Sequence, residues 1–358
     1  MKKRWWILAG VIVMSVSLFG SCTNQPEKFR NSDMDYKVSS GGIVEMIGAY
    51  IKADRAAPAP VKPIPLRQIP AAELAAPVAE SAVYRVGHST VLIRMDDQYV
   101  LTDPVFSKRA SPVQWLGPKR FHPLPIDIRD LPSIKAVVIS HDHYDHLDKN
   151  SIRALKDKVE QFVVPTGVGS RLRNWGIPAE KIEELAWWES FALGSLHFTA
   201  TPAQHFSGRG LTDKDSTLWA SWVIEGREGR MFFSGDSGYF SGFREIGERF
   251  GPFDLTLMET GAYNKLWSSV HMLPEESVQA HLDLGGRAML PIHNSTFDLA
   301  LHDWYEPLER AQAAAKDQGV TLVTPIIGEV VRLRSPTTTK AWWKDEVRAA
   351  DNLNLVTK

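Results

Sequence analysis

The sequence predicts an α/β domain in which a β-sheet core is covered by helices. From Ser81 onward, short strand-like runs alternate with helical patterns. The predicted strands outnumber the predicted helices, and the helices fall between strands, an order typical of a sheet flanked by helices. The composition agrees, because 44% hydrophobic and 23% charged residues are values of a globular chain.

The predicted elements run from a first hairpin to two final strands. The hairpin joins Val91–Met95 to Tyr99–Thr102 across a short polar turn. Further strands are predicted at Lys135–Ser140, Gln161–Val164, Ser195–Thr201, Leu218–Glu225, Arg230–Ser234 and Arg287–Ile292. Helices are predicted from Asn150 onward and at Val168–Asn174, Pro274–Leu284 and Pro307–Gln318. A last strand pair is predicted within Thr321–Leu333.

The N-terminus has the pattern of an export signal. Met1–Arg4 is basic, and Trp5–Phe19 is an uncharged, largely apolar run of 15 residues. That run is shorter than the roughly 20 residues of a membrane-spanning helix and is suited to the core of a signal peptide. Small residues lead to Cys22, and the arrangement resembles a bacterial lipoprotein signal, with Phe19 as a departure from its commonest form.

The resemblance implies cleavage before Cys22 and lipid attachment to that residue, so we expect a lipid-anchored protein of the cell envelope. Thr23 is not the residue type of an inner-membrane retention signal, which favours the outer membrane or its periplasmic face. An ordinary signal peptide or an uncleaved anchor, with an incidental cysteine, is the alternative.

Charge and cysteine content exclude several classes of protein. The chain has 41 Lys and Arg against 42 Asp and Glu, and removal of Lys2, Lys3 and Arg4 with the signal takes the net charge from −1 to −4. Nucleic acid is therefore not an expected partner. A single cysteine excludes an intrachain disulfide and a cysteine-rich metal site.

The chain divides into four predicted parts. Residues 1–21 are the signal peptide, 22–80 a Pro-rich tether and N-terminal arm, 81–335 the folded domain and 336–358 a C-terminal extension. The stretch Ala56–Pro65 is rich in proline and is expected to be extended. We expect the arm to pack on the surface of the domain.

A dense cluster of metal-ligand residues follows the strand predicted at Lys135–Ser140. It reads His141-Asp142-His143-Tyr144-Asp145-His146. Imidazole nitrogens and carboxylate oxygens suit Zn²⁺ and similar divalent ions. The imidazoles of His141 and His143 can converge on one ion, and Asp145 and His146 can reach a second.

Three further candidate ligands follow other predicted strands. His205, Asp236 and His293 each lie at or just past the C-terminal end of one. Functional sites of layered α/β folds are assembled at that edge. The pattern therefore predicts one site built from four strand ends.

These residues resemble the binuclear site of the metallo-β-lactamase superfamily. Longer stretches are similar to N-acyl-phosphatidylethanolamine-hydrolysing phospholipase D and its bacterial relatives, namely Val86–Thr90, Thr201–His205, Leu218–Trp222, Phe233–Tyr239, Gly261–Tyr263 and Pro291–His293. The resemblance extends from about Ser81 to Glu309 and implies an αββα sandwich, with two mixed sheets packed together and helices on the outer faces.

The resemblance also implies a ligand set for two Zn²⁺ ions. One ion would be bound by His141, His143 and His205. The second would be bound by Asp145, His146 and His293, with Asp236 bridging the two. Thr260 and Asn294–Ser295 depart from the phospholipase pattern at the mouth of the site, and these departures bear on the substrate rather than on the metals.

This ligand set implies a hydrolase of phosphodiesters. A hydroxide between two metals about 3.5–4 Å apart would attack phosphorus. N-acylethanolamine would leave, phosphatidic acid would remain, and Asp145 would orient the nucleophile. The first alternative is a lactonase or other small-ester hydrolase of the same fold. The second is a non-enzymatic, metal-bearing envelope protein.

Three residues near the site have other expected roles. His271 matches a family position near the substrate phosphate, where it would contact the phosphate or act as acid to the leaving group, with helix capping as the alternative. His88 is expected to support a ligand. Asp103 is expected to orient the hairpin end or a histidine that lies behind the ligands rather than to bind metal.

Overall fold

Two seven-stranded mixed β-sheets form the centre of the computed structural model, which describes residues 28–34, 55–77, 80–336 and 340–347 and the positions 45, 48–49, 52 and 53. The described strands are, in chain order, β1 (Ala82–Gly87), β2 (Thr90–Met95), β3 (Gln98–Thr102), β4 (Ile134–Val138), β5 (Val159–Pro165), β6 (Ile182–Leu185), β7 (Ser190–Leu193), β8 (Leu196–Thr201), β9 (Ser221–Gly226), β10 (Gly229–Phe233), β11 (Leu255–Glu259), β12 (Ala288–Ile292), β13 (Thr321–Leu322) and β14 (Val330–Arg332). The strand order is β14-β1-β2-β3-β4-β5-β6 in the first sheet and β13-β12-β11-β10-β9-β8-β7 in the second.

Helices cover the outer face of each sheet. The helices with described bounds are α1 (Ala71–Ala75), α2 (Lys149–Leu155), α3 (Gly169–Asn174), α4 (Gly242–Phe250), α5 (Pro274–Asp283) and α6 (Glu306–Asp317). Ile152 of α2 and Leu172 of α3 pack in the apolar cluster outside the first sheet. Phe243, Val278 and Ala314, one each from α4, α5 and α6, pack outside the second.

The sandwich follows from the alternation of apolar side chains along each strand. Ile93 and Phe233 point into the cluster between the two sheets, whereas their neighbours Leu92 and Phe232 point toward the helices. All four are fully buried. Strands buried on both faces must be apolar at successive positions, which explains their continuous hydrophobic runs. The predicted αββα sandwich is confirmed.

The described part of the N-terminal arm lies against the domain. The backbone of Leu66 forms an isolated parallel bridge with Ile327, and Ile64 is buried in a cluster with Trp304. Residues 1–27, which include the predicted signal peptide and Cys22, lie outside the described residues. Among the described residues, no helix combines the length and apolar composition that crossing a bilayer requires.

Most predicted elements are confirmed, but the last strand pair is wrong. β13 runs parallel to β12 in the second sheet, and β14 runs antiparallel to β1 in the first. The two strands are neighbours in sequence, yet each extends a different sheet at an edge that would otherwise present unpaired backbone groups. The strand predicted from Leu218 also begins later, at Ser221.

Strand β11 and helix α4 were not predicted. Helix α4 contains Gly247 in its middle, a residue that lowers helix propensity. A Cβ atom at position 247 would collide with the carbonyl oxygen of Asp283 at the end of α5. The glycine therefore lets the two helices approach closely, a tertiary requirement that the local pattern does not reveal.

Candidate metal centre

The candidate site lies where strands of both sheets end, and the loop after β4 supplies most of it. Residues 141–147 form this loop before α2 begins at Lys149, with Asp148 capping the helix. The end of β10 reaches the loop because Gly235 has φ 56°, and a Cβ at that position would collide with the side chain of Ser140. Glycine therefore allows Asp236 to lie beside the histidines of the loop.

The first ligand group contains His141, His143 and His205. Nε2 of His141 lies 2.8 Å from Nδ1 of His143, and Nε2 of His205 lies 3.3 Å from the same nitrogen. His141 and His205 are buried, and His143 is partly exposed. Three imidazole nitrogens facing one another at these distances are suited to sharing a metal ion.

The second ligand group contains Asp145, His146 and His293. Oδ2 of Asp145 lies 3.4 Å from Nε2 of His146 and 3.2 Å from Nε2 of His293. Nε2 of His88 approaches the same oxygen at 3.0 Å, so His88 contacts a candidate ligand and is itself close enough to be a fourth donor.

Asp236 lies between the two groups. Its Oδ2 is 3.1 Å from Nε2 of His146 and 3.2 Å from Nε2 of His293, and 3.9 Å from Nε2 of both His141 and His205. Its Oδ1 is buried and accepts no hydrogen bond from any described residue. The structure thus brings together all seven residues that the sequence predicts as ligands.

The charges of the site suit divalent cations. Burial raises the pKa of the Asp236 carboxyl, but His146 and His293 outweigh burial and hold that pKa well below its usual range. Burial lowers the pKa of His293, but Asp236 and Asp145 outweigh it and raise that pKa to about 10. Burial lowers the pKa of His141 well below its usual value, so this imidazole is in the neutral, ligating form. Two carboxylates that hold protons on neighbouring imidazoles would hold metal ions in the same way.

Three residues at this site have left-handed backbone. His88, Asp103 and His293 have φ values of 56°, 32° and 62°. Residues other than glycine rarely adopt such values, and strained backbone of this kind clusters at functional sites.

Asp103 supports a candidate ligand rather than joining the ligand groups. It is fully buried just after β3, and its Oδ2 accepts a hydrogen bond from Nδ1 of His146 at 2.6 Å. Its Oδ1 accepts the backbone N–H of Ser140 at 2.7 Å. A carboxylate behind a ligating imidazole fixes the tautomer that leaves Nε2 free for the metal.

Replacing Asp103 by Asn is expected to weaken metal binding about 10- to 100-fold. The amide nitrogen of Asn would face Nδ1 of His146 as a second donor, so the imidazole would lose its orientation. Competition with a chromophoric chelator measures the affinity. The matched control is Asp127→Asn, since Asp127 pairs with Arg129 on the surface. Equal affinities in the two variants would contradict this role of Asp103.

His271 lies beside the ligand groups and is hydrogen-bonded to the carboxyl group of Glu259, a residue that the sequence does not predict in the site. Its Nδ1 shares a hydrogen bond with Oε1 of Glu259, and it lies 4.0 Å from Oδ2 of Asp236. Burial lowers the pKa of His271 to about 4, and burial together with Asp236 raises the pKa of Glu259 well above its usual value. Glu259 ends β11, and a lone acidic residue in an apolar strand was the available signal for it.

Among the described residues, the histidines outside the site do not contact the ligand groups. His281 is buried, with its Nδ1 2.7 Å from Oγ1 of Thr256, and His302 stacks on Tyr263. Nε2 of His122 lies 3.1 Å from Oγ1 of Thr296, and His197 is exposed on β8.

The family model that matches the chain is the beta-lactamase superfamily domain, over residues 98–294. This protein therefore belongs to the beta-lactamase superfamily, and its fold and donor groups are those of a metal-dependent hydrolase. It is similar to the solved structure of a metallo hydrolase from Ignicoccus hospitalis (TM-score 0.54, 19% identity), a match that covers 71% of this chain and 98% of that one.

Two curated relatives bear more directly on function. The chain is 37% identical over 262 residues to N-acyl-phosphatidylethanolamine-hydrolyzing phospholipase D 1 of Caenorhabditis elegans, covering 68% of this chain and 74% of that protein. It is 50% identical over 102 residues to the outer membrane protein RomA of Klebsiella pneumoniae, covering 28% of this chain and 76% of that protein.

Proposed function

We propose that the protein is a zinc-dependent hydrolase with two metal ions in one site and that it cleaves N-acyl-phosphatidylethanolamine. Water is consumed, the phosphorus–oxygen bond to the N-acylethanolamine breaks, and phosphatidic acid remains. The observation that carries the proposal is the meeting of two ligand groups at Asp236, whose Oδ2 lies within 4 Å of a nitrogen from each. The similarity to the C. elegans phospholipase supports the choice of substrate.

Different residues of the site would bind the metal ions, orient the attacking water and transfer a proton. The two ligand groups and Asp236 would hold the ions, which when bound supply Lewis acidity and a water of lowered pKa. Asp145, which contacts three imidazoles, would also orient the attacking water. His271 would contact the phosphoryl group or give a proton to the leaving oxygen.

A lactone or other small ester is the second candidate substrate, and the cavity beside His293 bears on the size of molecule that the site can enclose. Its walls include Asn294, Ser295 and Asp298 as well as the apolar Phe297 and Trp304. Its volume is about 20 Å³, room for about one water molecule. Neither an acyl chain nor a small ester fits inside a cavity of this size, so both substrates would have to lie outside it and the choice between them rests on a direct comparison of turnover.

A substrate comparison tests the proposal. Full-length protein purified in detergent would be loaded with zinc and incubated with N-acyl-phosphatidylethanolamine in mixed micelles and, separately, with a panel of lactones. Mass spectrometry would follow N-acylethanolamine and ring opening, and the Asp236→Asn variant would reveal contaminating activity. Release of N-acylethanolamine by the wild type alone supports the lipid substrate. Turnover of lactones without that release would replace it with the small ester.

We also propose that the mature protein is held in the cell envelope by lipid on Cys22. The basic and apolar N-terminal sequence supports this, as does the relative that is named an outer membrane protein. Anchoring would raise the concentration of the enzyme where a phospholipid substrate lies.

Replacing Cys22 by Ser is expected to abolish incorporation of radiolabelled palmitate and to release the protein from membranes, because Cys22 is the only thiol in the chain. Labelling in the producing cells, followed by fractionation, measures both. The neighbouring Ser21→Ala variant keeps the thiol and should label normally. Equal labelling of wild type and Cys22→Ser would refute the anchor.

A further inference from the structure

A short segment near the N-terminus lies against the loop that carries a candidate metal ligand. This N-terminal segment, residues 28–34, contacts the domain at several points. The backbone N–H of Phe29 donates to the carbonyl of Asp215 at 3.0 Å, and the side chain of Gln204 donates to the carbonyl of Met34. The segment therefore follows the loop on both sides of His205.

Asn31 makes the central contact of the N-terminal segment. Its Nδ2 donates to the carbonyl oxygen of His205 at 2.8 Å, and its Oδ1 accepts the backbone N–H of His205 at 2.9 Å. The indole N–H of Trp219 donates to the same Oδ1 at 2.9 Å. One side-chain amide thus satisfies both backbone polar groups of the ligand residue, as a neighbouring β-strand would.

His205 depends on such support because its loop is outside the sheets. β8 ends at Thr201, and beyond it an isolated bridge with Gly238 fixes the carbonyl of Gln204 but leaves the N–H and carbonyl of His205 to other partners. His205 is fully buried, and a buried peptide group that loses its partners destabilises its conformation. The imidazole is held at Nδ1 by the carbonyl of Val270 at 2.9 Å, which orients the ring but not the backbone beneath it.

A later described part of the arm contacts the loop after His293, and His293 belongs to the second ligand group. Nη1 of Arg55 donates to Oδ1 of Asp298 at 2.5 Å and to the carbonyl of Ala300 at 2.8 Å. Two parts of one arm thus hold loops that carry a ligand from each group. This arrangement differs from an arm that only covers the surface of the domain.

We propose that Asn31 is a positioning residue of the metal centre. It fixes the backbone of His205 so that His141, His143 and His205 converge, and it makes the N-terminal segment part of the site. The inference rests on the two-metal site proposed above but not on its substrate. The contact of Asn31 with the site also limits the distance between the site and a membrane to which Cys22 is anchored. The nine residues from Cys22 to Asn31 reach at most about 30 Å, so an acylated protein would hold the site close to the bilayer.

The test is a metal titration of full-length protein, with Asn31→Ala as the variant and Ser32→Ala as the matched control in the same segment. Metal-free protein would be titrated with Co²⁺, with the visible spectrum and a competing chelator resolving two binding steps. Asn31→Ala is expected to weaken one step about 10- to 100-fold and to leave the other unchanged. Ser32→Ala, which removes an exposed hydroxyl, should match the wild type in both steps.

Asn31→Asp provides a second variant if Asn31→Ala folds poorly. It keeps the acceptor for His205 and Trp219 and loses the donor to the carbonyl of His205, so an intermediate weakening of the same step is expected. Thermal unfolding of the metal-free variants separates positioning from general stability.

Unchanged affinities in Asn31→Ala, or equal weakening of both steps with a lower Tm, would overturn the inference. A wild type that binds fewer than two metals would contradict the two-metal site and this inference with it, whereas two bound metals without lipid turnover would contradict only the substrate.

Discussion

Replacing Asp236 by Asn is expected to remove metal from one or both ligand groups and to lower turnover by several orders of magnitude. Oδ2 of Asp236 lies within 4 Å of nitrogens from both groups. The substitution keeps the shape of the side chain but removes its charge, and it can place an NH₂ donor against His146 and His293. Because this one carboxylate oxygen faces nitrogens of both groups, its loss can affect metal binding in either group. Element analysis and turnover on the same preparation measure the two effects.

The control for Asp236→Asn is Asp127→Asn, which removes one carboxylate charge that is outside the ligand groups. Asp127 pairs with Arg129 on the surface, and this variant should keep its metal and its turnover. Full activity with two bound metals in Asp236→Asn would show that the carboxylate does not bridge the groups.

Replacing His271 by Ala is expected to lower turnover about 10²- to 10⁴-fold while two metals stay bound. His271 is buried on Glu259 beside the site, yet it is outside the two groups that meet at Asp236. A group that contacts the phosphate or protonates the leaving oxygen acts on the reaction and not on metal affinity. In this variant turnover should therefore fall while the metal content stays at two ions.

Substrates with different leaving groups distinguish the two roles of His271. A leaving group of low pKa needs no proton, so it should restore turnover of His271→Ala if the residue is an acid, and should not do so if the residue binds the phosphate. The exposed His197→Ala on β8 is the matched control. Loss of one metal from His271→Ala would instead place this histidine with Asp236, Glu259 and His293 as a ligand, since donor atoms of all four lie within 4.8 Å of one another.

The ligands could be predicted from the sequence because their positions follow from strand ends. His141–His146, Asp236 and His293 each come within a few residues after a buried strand, and these strands, β4 of the first sheet and β10 and β12 of the second, all end at the site. The alternation of apolar residues likewise predicted most strands. Neither inference required knowledge of which strands pair.

What could not be predicted depends on contacts between distant parts of the chain. The sequence around Glu259 does not reveal that its carboxyl meets His271, because that contact requires the chain after β11 to fold back so that a residue 12 positions later lies against the end of the strand. Asn31 is 174 residues from His205, and the segment around it has no periodic pattern. The sequence predicts a strand pair within Thr321–Leu333, whereas β13 and β14 each complete a different sheet, and the local sequence does not specify which sheet edge a strand reaches.

The most direct test of the two-metal hydrolase is to add zinc stepwise to metal-free protein while following both binding and release of N-acylethanolamine. Because Asp236 joins the two ligand groups, turnover is expected to stay low through the first equivalent and to rise with the second. Asp236→Asn should show no such rise. A metal-free protein that turns over substrate as fast as the zinc-loaded protein would contradict a reaction that needs both metals. A turnover rate that reaches its maximum at one equivalent of zinc would contradict it as well.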